Sequence, residues 1–258
     1  MSMKSAAIVM AALLFAFGAV SAEPLLLQYK FEKGQPLHYR LEMKSNMTFT
    51  MPDGKKEEKS MTSSMDLTQE LIEAKADGSY RVSVTIENAK QVENGQEKPF
   101  PAMPGPQLMT MLPSGKVIDA QGPEPGPAGQ TQMVFPSKPI NEGENWEQVG
   151  RIQQPIPMET TTKYTLDKAS TAFPGGGKSS LIRSDMAISS KKGEGGEQVS
   201  STTKGELWFD SEKGRMLRSK AVSNFKFDLP IQVPGMPTAQ VVRANLDLDL
   251  NIEFVKGK

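Results

Sequence analysis

Residues 37–51, LHYRLEMKSNMTFTM, alternate between apolar and polar side chains along their whole length. Every odd-numbered residue except Ser45 is apolar, and every even-numbered residue is polar or charged. Successive side chains of a strand point to opposite faces of its sheet, so this period of two predicts a long, half-buried strand. A helix would spread the same apolar residues around its whole circumference.

The same alternation recurs along the chain, in residues 80–87, almost unbroken in residues 242–254, and less regularly in residues 217–229. Short turns that contain glycine, such as those at 53–54 and 77–78, separate the apolar-periodic segments. Strands joined by short turns pair antiparallel, and antiparallel sheets tolerate one wet face. The sequence therefore predicts an all-β protein with one large, curved antiparallel sheet, and leaves open a half-barrel, a barrel or a sandwich.

Three proline-rich stretches interrupt the pattern, at residues 99–106, 122–129 and 230–237. Proline cannot donate a hydrogen bond to a strand ladder, so these stretches are expected to be loops or crossings at a sheet edge. The middle stretch, rich in both Pro and Gly, predicts a boundary between an N-terminal half, 23–120, and a C-terminal half, 131–258. Both halves have the pattern of a β-meander, which suggests a pseudo-repeat. One continuous sheet with a long crossing loop fits the sequence equally well.

The first residues have the organisation of a bacterial secretory signal peptide. Lys4 precedes an apolar run from Ala6 to Val20, and small residues occupy the positions before a cleavage site after Ala22. The run is shorter than the roughly 20 residues that span a bilayer, so no stable membrane span is expected after cleavage. Residues 23–258 are predicted to reach the periplasm or the exterior, and without any Cys they carry neither a lipid anchor nor a disulfide.

The charge balance excludes one class of partner. The chain has 30 basic and 30 acidic residues, and the basic ones form no cluster. Binding to nucleic acid calls for a clustered basic excess, so no nucleic-acid partner is predicted.

The candidate motifs for chemistry do not meet the requirements of the sites they resemble. His38 is the only histidine and lies on the polar side of its strand. Residues 175–178, GGGK, lack the upstream glycine and the following helix of a phosphate-binding loop. The acidic residues of 247–253 alternate with Leu and Ile as the wet face of a strand, too far apart to bind one calcium ion together. The sequence predicts no catalytic residue, no metal site and no cofactor.

Methionine is the most informative residue type. The apolar face of the first two long strands is rich in methionine. We predict that this face binds a ligand through Met43, Met47, Phe49, Met51, Met61 and Met65. Thioether side chains are flexible and polarizable, so they suit surfaces that accept varied apolar partners. The alternative interpretation is an adaptable core that fills a curved sheet, since apolar stripes usually belong to cores.

An ordered set of short segments resembles a family of secreted bacterial β proteins catalogued as a domain of unknown function. The segments are Tyr29-Lys30-Phe31, Gly34, Tyr39, 77–82 (DGSYRV), 113–117 (PSGKV), Phe135-Pro136, Lys138-Pro139-Ile140, Gly143, Trp146, Tyr164-Thr165-Leu166 and 205–210 (GELWFD). The resemblance covers most of the predicted mature chain. It implies an exported β protein and brings no activity or site residue with it.

Three functional hypotheses follow. The first is a non-enzymatic periplasmic or secreted protein that binds a lipid or another apolar small molecule in its curved sheet, by analogy of architecture with half-barrel lipoprotein carriers. The second is an interaction or scaffold module that holds an envelope protein. The third is a hydrolase that uses carboxylates alone, which requires two Asp or Glu side chains that converge in a cleft.

Overall fold

The computed structural model describes residues 23–100, 105–121, 133–152, 158–189, 198–231 and 240–256. The signal peptide predicted at 1–22 and the proline-rich boundary predicted at 122–129 lie outside these residues. In the described part of the chain no helix is long and apolar enough to cross a membrane.

The described residues form twelve strands. They are β1 (Leu37–Thr50), β2 (Lys56–Ala74), β3 (Tyr80–Glu93), β4 (Gln96–Lys98), β5 (Gln107–Met111), β6 (Val117–Gln121), β7 (Asn145–Ile152), β8 (Met158–Ala172), β9 (Lys178–Ser189), β10 (Gln198–Asp210), β11 (Arg215–Ile231) and β12 (Gln240–Val255). The strands predicted from alternation at 37–51, 80–87, 217–229 and 242–254 correspond to β1, β3, β11 and β12.

All of these strands belong to one antiparallel sheet, in the order β6-β5-β3-β2-β1-β12-β11-β10-β9-β8-β7, and β4 pairs with β3. The predicted all-β antiparallel architecture is therefore confirmed. The sheet is not closed into a barrel, and β6 and β7 form its two edges. β1 to β6 make one side of the sheet and β7 to β12 the other, and the two sides meet where β1 pairs with β12.

The strand register sorts the side chains onto two faces. Leu41 of β1 lies opposite Met65 of β2 and Ile252 of β12, so the apolar sides of the three strands coincide. We call this the inner face. The opposite, outer face carries the polar set, such as Arg40 opposite Asp66 and Glu253.

Two stretches of chain outside the strands, residues 25–36 and 133–140, pack on the inner face, and we call them the plug. Their own link is a bridge between Leu25 and Ile140. The hydrophobic core forms around them. Its buried residues are Leu27, Tyr29, Phe31, Leu37, Tyr39, Leu41, Leu67, Val82, Val84, Met109, Met111, Met133, Phe135, Ile140, Leu166, Ile182, Leu207, Phe209 and Ile252.

The plug also shows how strongly the sheet curves. The backbone N–H of Tyr29 donates to Pro113 O (2.7 Å) in the β5–β6 turn, and that of Lys30 donates to Gly214 O (2.9 Å) in the β10–β11 turn. In a flat sheet these two turns would be about 28 Å apart at the usual strand spacing. Because adjacent residues bond to both turns, the sheet must curl around the plug as an open half-barrel.

Close packing at the plug requires a glycine at position 115. Gly115 has a φ of +91°, and a Cβ there would lie 2.4 Å from Met133 O and 2.7 Å from the Tyr29 ring. The Tyr29 ring stacks on Phe135 with centroids 5.0 Å apart, and Phe135 contacts Phe209 edge-on at 4.8 Å. Several residues that carry the family resemblance thus meet at this end of the sheet.

Candidate functional site

The large apolar side chains of the inner face become less buried in the middle of β9 and β12, whereas small hydroxyl residues such as Ser45 and Ser223 stay buried. On β12, Ala244 and Ile252 are 2% and 7% exposed, whereas the three leucines between them are only partly buried. β9 repeats the pattern, since Ile182 and Ile188 are buried and Met186 between them is partly exposed. Solvent therefore reaches apolar side chains in the middle of the inner face, between two rows of buried residues.

We call this middle zone the central band. Its residues are Met61 and Ser63 of β2, Met43, Ser45 and Met47 of β1, Leu246, Leu248 and Leu250 of β12, Ala221, Ser223 and Phe225 of β11, Ser201, Thr203 and Gly205 of β10, Ser184 and Met186 of β9, and Thr162 and Tyr164 of β8. Cross-strand pairing places them side by side on one face. The band combines large apolar side chains on β1 and β12 with small or hydroxyl-bearing ones on β10 and β11.

The predicted ligand-binding residues divide by position. The strand register places five of them on the inner faces of β1 and β2, namely Met43, Met47, Phe49, Met61 and Met65. Met43 and Met65 pack against the core around the plug. Met51 lies beyond the end of β1, where its N–H donates to Lys55 O (2.8 Å) in the hairpin turn. Met43, Met47 and Met61 thus belong to the band, and Met65, Phe49 and Met51 lie beyond its two ends.

Hydroxyl groups are the polar feature of the band. Thr203 Oγ1 donates to Ser223 Oγ at 2.8 Å, and both residues are buried. Ser201 is 6% exposed, and its buried Oγ has no hydrogen-bond partner among the described residues. The alternation of apolar and polar residues on β10 and β11 does not single out these residues. Ser45, the one polar residue in the apolar series of β1, is a signal of the same kind.

Charged side chains stay at the margin of the band. Among the described residues, no Asp, Glu, Lys or Arg occupies a central-band position on β1, β12, β11, β10, β9 or β8. Toward the β1–β2 hairpin, Glu57 and Lys59 lie opposite Phe49 and Met47. The Lys59 Nζ is 5.9 Å from the centre of the Phe49 ring. Across β1, β12, β11, β10, β9 and β8 the middle of the inner face is thus uncharged, whereas β2 carries Lys59 beside the band.

Aromatic residues form the boundary of the band at β7 and β8. The rings of Trp146 and Tyr164 stack with centroids 5.3 Å apart. Trp146 Nε1 donates to Val134 O in the plug at 2.9 Å. Burial raises the pKa of Tyr164, so its hydroxyl stays protonated at neutral pH. Trp146 and Tyr164 thus form an uncharged aromatic wall at the boundary of the band, and the hydrogen bond from Trp146 links this wall to the plug.

The motifs rejected at the sequence level lie away from the band. His38 Nδ1 is 3.1 Å from Thr68 Oγ1, and Asp247 on the outer face accepts a hydrogen bond from Asn224 Nδ2 (2.7 Å). The GGGK stretch forms the turn between β8 and β9, and its lysine begins β9. The described residues contain no group of three or more His, Cys, Asp or Glu placed to hold a metal ion.

A small depression lies at the β3–β5–β6 edge, lined by Arg81, Thr110 and Asp119 among others. Its volume is about 120 Å³. Pockets for drug-sized ligands have volumes of about 300–1,000 Å³, so this depression is too small for a lipid.

Comparisons with known proteins add little. No protein-family model matches the chain, and no curated protein does. A lipovitellin structure that concerns lipid–protein interactions aligns at a TM-score of 0.48 with 8% identity, over 88% of this chain and 25% of that one. This chain thus spans a quarter of the lipovitellin chain. DynF, from the dynemicin biosynthesis pathway of Micromonospora chersina, aligns at a TM-score of 0.24 with 9% identity, over 91% of this chain and 94% of its own. At these TM-scores neither similarity establishes a function.

Proposed function

We propose that this protein is an exported, non-enzymatic binding protein that holds a lipid or another apolar small molecule against the central band. The observation that carries the proposal is the fall in burial along the inner face, where Leu246, Leu248 and Leu250 are partly exposed between buried neighbours. Removing apolar surface from water is favourable by about 25 cal/mol per Å². A ligand on the band would gain this free energy without any rearrangement of the plug.

The composition of the band also supports an apolar ligand. Met43, Met47 and Met61 adapt their shape to a ligand through flexible thioether side chains. Across the sheet, Ala221, Gly205 and Ser184 lie side by side and form a low floor of small residues. Flexible walls beside a low floor suit a long, narrow apolar chain.

Binding can be tested with the neutral dye Nile red and a pair of matched variants. Leu248→Gln places an amide in the band, and Val222→Gln makes a comparable change on the outer face of the neighbouring strand, where Val222 is 62% exposed. We expect wild-type protein to enhance the dye fluorescence, Leu248→Gln to weaken binding, and Val222→Gln to behave as wild type. Equal effects of the two variants would contradict a site in the band.

Native mass spectrometry of protein purified from a bacterial host provides a second test. We expect a bound adduct with the mass of a lipid, which organic extraction removes. Protein that carries no adduct and binds neither dye nor hydrocarbon would refute the proposal.

Export is part of the proposal and has its own test. When residues 1–258 are produced in a bacterial host, we expect the protein in the periplasmic fraction with Glu23 as its first residue. Replacement of Ala22 by Arg should block cleavage, because signal peptidase reads small residues at that position. Cytoplasmic protein that begins at Met1 would contradict export.

The open sheet favours a second candidate, an envelope interaction or scaffold module. β6 and β7 are edge strands, and on β7 the Val149 side chain is 61% exposed. Exposed edges can accept a strand from another protein. Crosslinking in cells with a photoreactive residue at position 149 would capture such a partner. A crosslink that is absent at position 149 and present at position 222 would argue against the β7 edge.

A further inference from the structure

We infer that the ligand of the central band is a neutral acyl ester, with an uncharged oxygen that accepts hydrogen bonds from the hydroxyl groups of β10 and β11. The inference rests on the proposed function and narrows its ligand class. It starts from Ser201, whose buried hydroxyl has no partner in the part of the chain that the structure describes.

The unpaired hydroxyl has an energetic meaning. A buried polar group without a hydrogen bond costs roughly 1–3 kcal/mol, so most such groups in proteins are paired. Ser201 lies on the inner face, opposite Phe225 of β11 and Ile188 of β9. Its hydroxyl is therefore a buried donor among apolar side chains, and a ligand oxygen completes it when the partly exposed Phe225 side chain moves aside.

The pair formed by Thr203 and Ser223 supplies a second donor. Two hydroxyl groups carry two protons, and their mutual hydrogen bond of 2.8 Å uses one of them. The other proton has no acceptor among the described residues, whichever hydroxyl donates within the pair. Residues two apart on a strand lie about 7 Å apart, so this donor and that of Ser201 are within reach of one ligand with several oxygen atoms.

Charge decides between kinds of amphipathic ligand. Burial of an ionised carboxylate or phosphate is very costly unless a cation pairs with it. On β1, β12, β11, β10, β9 and β8 the band holds no Lys or Arg. Lys59 lies on the inner face of β2, opposite Met47, and is four strands away from Ser201. An ester carbonyl accepts hydrogen bonds without a charge. The band therefore favours an acylglycerol over a fatty acid anion or an acidic phospholipid.

The test compares three probes with the same chain length, namely monopalmitoylglycerol, palmitate at pH 8, and hexadecane, each as a competitor of Nile red. We expect the ester to bind most tightly. Ser201→Ala should lower the affinity for the ester about three- to tenfold, because it removes one hydrogen bond, and should leave the affinity for hexadecane unchanged. Because Ser201 Oγ makes no hydrogen bond to the residues that the structure describes, this variant should fold normally.

Ser179→Ala is the matched control. Ser179 is 4% exposed, its Oγ also has no hydrogen-bond partner in the described part of the chain, and it lies outside the band. It should leave all three affinities unchanged. Equal binding of ester and hexadecane, tighter binding of palmitate, or an unaltered ester affinity in Ser201→Ala would each overturn the inference. Hexadecane binding would still support the proposed function in those cases, whereas a wild-type protein that binds none of the probes would refute both.

Discussion

The plugged end and the central band lie on the same strands of the same face, yet one is solid and the other is partly open. On β10, Leu207 and Phe209 at the plugged end are buried against other chain segments. A few residues earlier on the same strand, Ser201, Thr203 and Gly205 present small side chains or none. The two regions thus differ both in the size of their side chains and in the plug, which packs against the end that carries Leu207 and Phe209.

The largest expected effect comes from truncation of the core aromatic of the plugged end. Phe209 is fully buried and contacts the rings of Tyr29 and Phe135. Phe209→Ala should lower the free energy of unfolding by about 3–5 kcal/mol, through lost burial and a residual cavity. Phe225→Ala, in the partly exposed band, should cost less than half as much. Urea denaturation of both variants measures their free energies of unfolding. Equal losses would contradict the claim that the plugged end is more tightly packed than the central band.

The fit between the plug and the β5–β6 turn should be nearly as sensitive. Gly115→Ala combines a positive φ with a Cβ that would lie 2.4 Å from Met133 O. We expect a loss of about 2–3 kcal/mol, since both strain and overpacking destabilise. Gly54→Ala is the matched control, because Gly54 has a φ of +82° with open space around it. It should cost about 1 kcal/mol, and thermal unfolding of the pair isolates the contribution of the plug contact.

The fastening of the aromatic wall to the plug should have a smaller effect. Trp146→Phe keeps most of the ring stacked on Tyr164 and removes the 2.9 Å hydrogen bond to Val134 O. The expected loss is about 1 kcal/mol in unfolding experiments. If the wall also shapes the band, Nile red affinity should fall in this variant. An unchanged Nile red affinity would show that Trp146 and Tyr164 do not contribute to the binding site.

The smallest effect is expected on the outer face. A hydrogen bond from Asn88 Nδ2 and then the guanidinium of Arg40 lower the pKa of Asp66 below its usual value of 3.8. The depressed pKa stabilises the fold above pH 3.8, and this contribution is lost as the pH falls through the pKa of the folded state. Asp66→Asn should therefore cost under about 1 kcal/mol at pH 7, because the Arg40 side chain is 57% exposed. The difference from wild type should shrink below about pH 4 in urea titrations at several pH values.

Periodicity predicted the sheet well because side-chain alternation records directly which face of a strand is buried. It predicted nothing about the plug. Leu27, Tyr29 and Phe31 also alternate, but they belong to a segment whose Leu25 makes only an isolated bridge, and this segment packs across the sheet instead of joining it. Such packing depends on contacts with the turns at Pro113 and Gly214, far away in the sequence.

The candidate site was only partly predictable for a similar reason. The methionines of β1 and β2 stand out in the sequence as an apolar stripe. The hydroxyl groups of Ser201, Thr203 and Ser223 have an ordinary appearance on their own strands. The register between β10 and β11 is needed to show that the three hydroxyl groups face the same side of the sheet. The three-dimensional structure is needed to show that Ser201 Oγ is buried without a partner among the described residues.

The pairing of β1 with β12 has a consequence for how the chain folds. Tyr39 lies opposite Phe254, so the centre of the sheet joins its first and last strands. The meanders on either side pair neighbours in sequence and can form early, whereas this seam must close a loop of nearly the whole chain. Folding should therefore be slow, with a rate set by the meeting of the two meanders. Until they meet, β1 and β12 each present a long, unpaired edge, and the half-folded chain is expected to aggregate most readily at that stage.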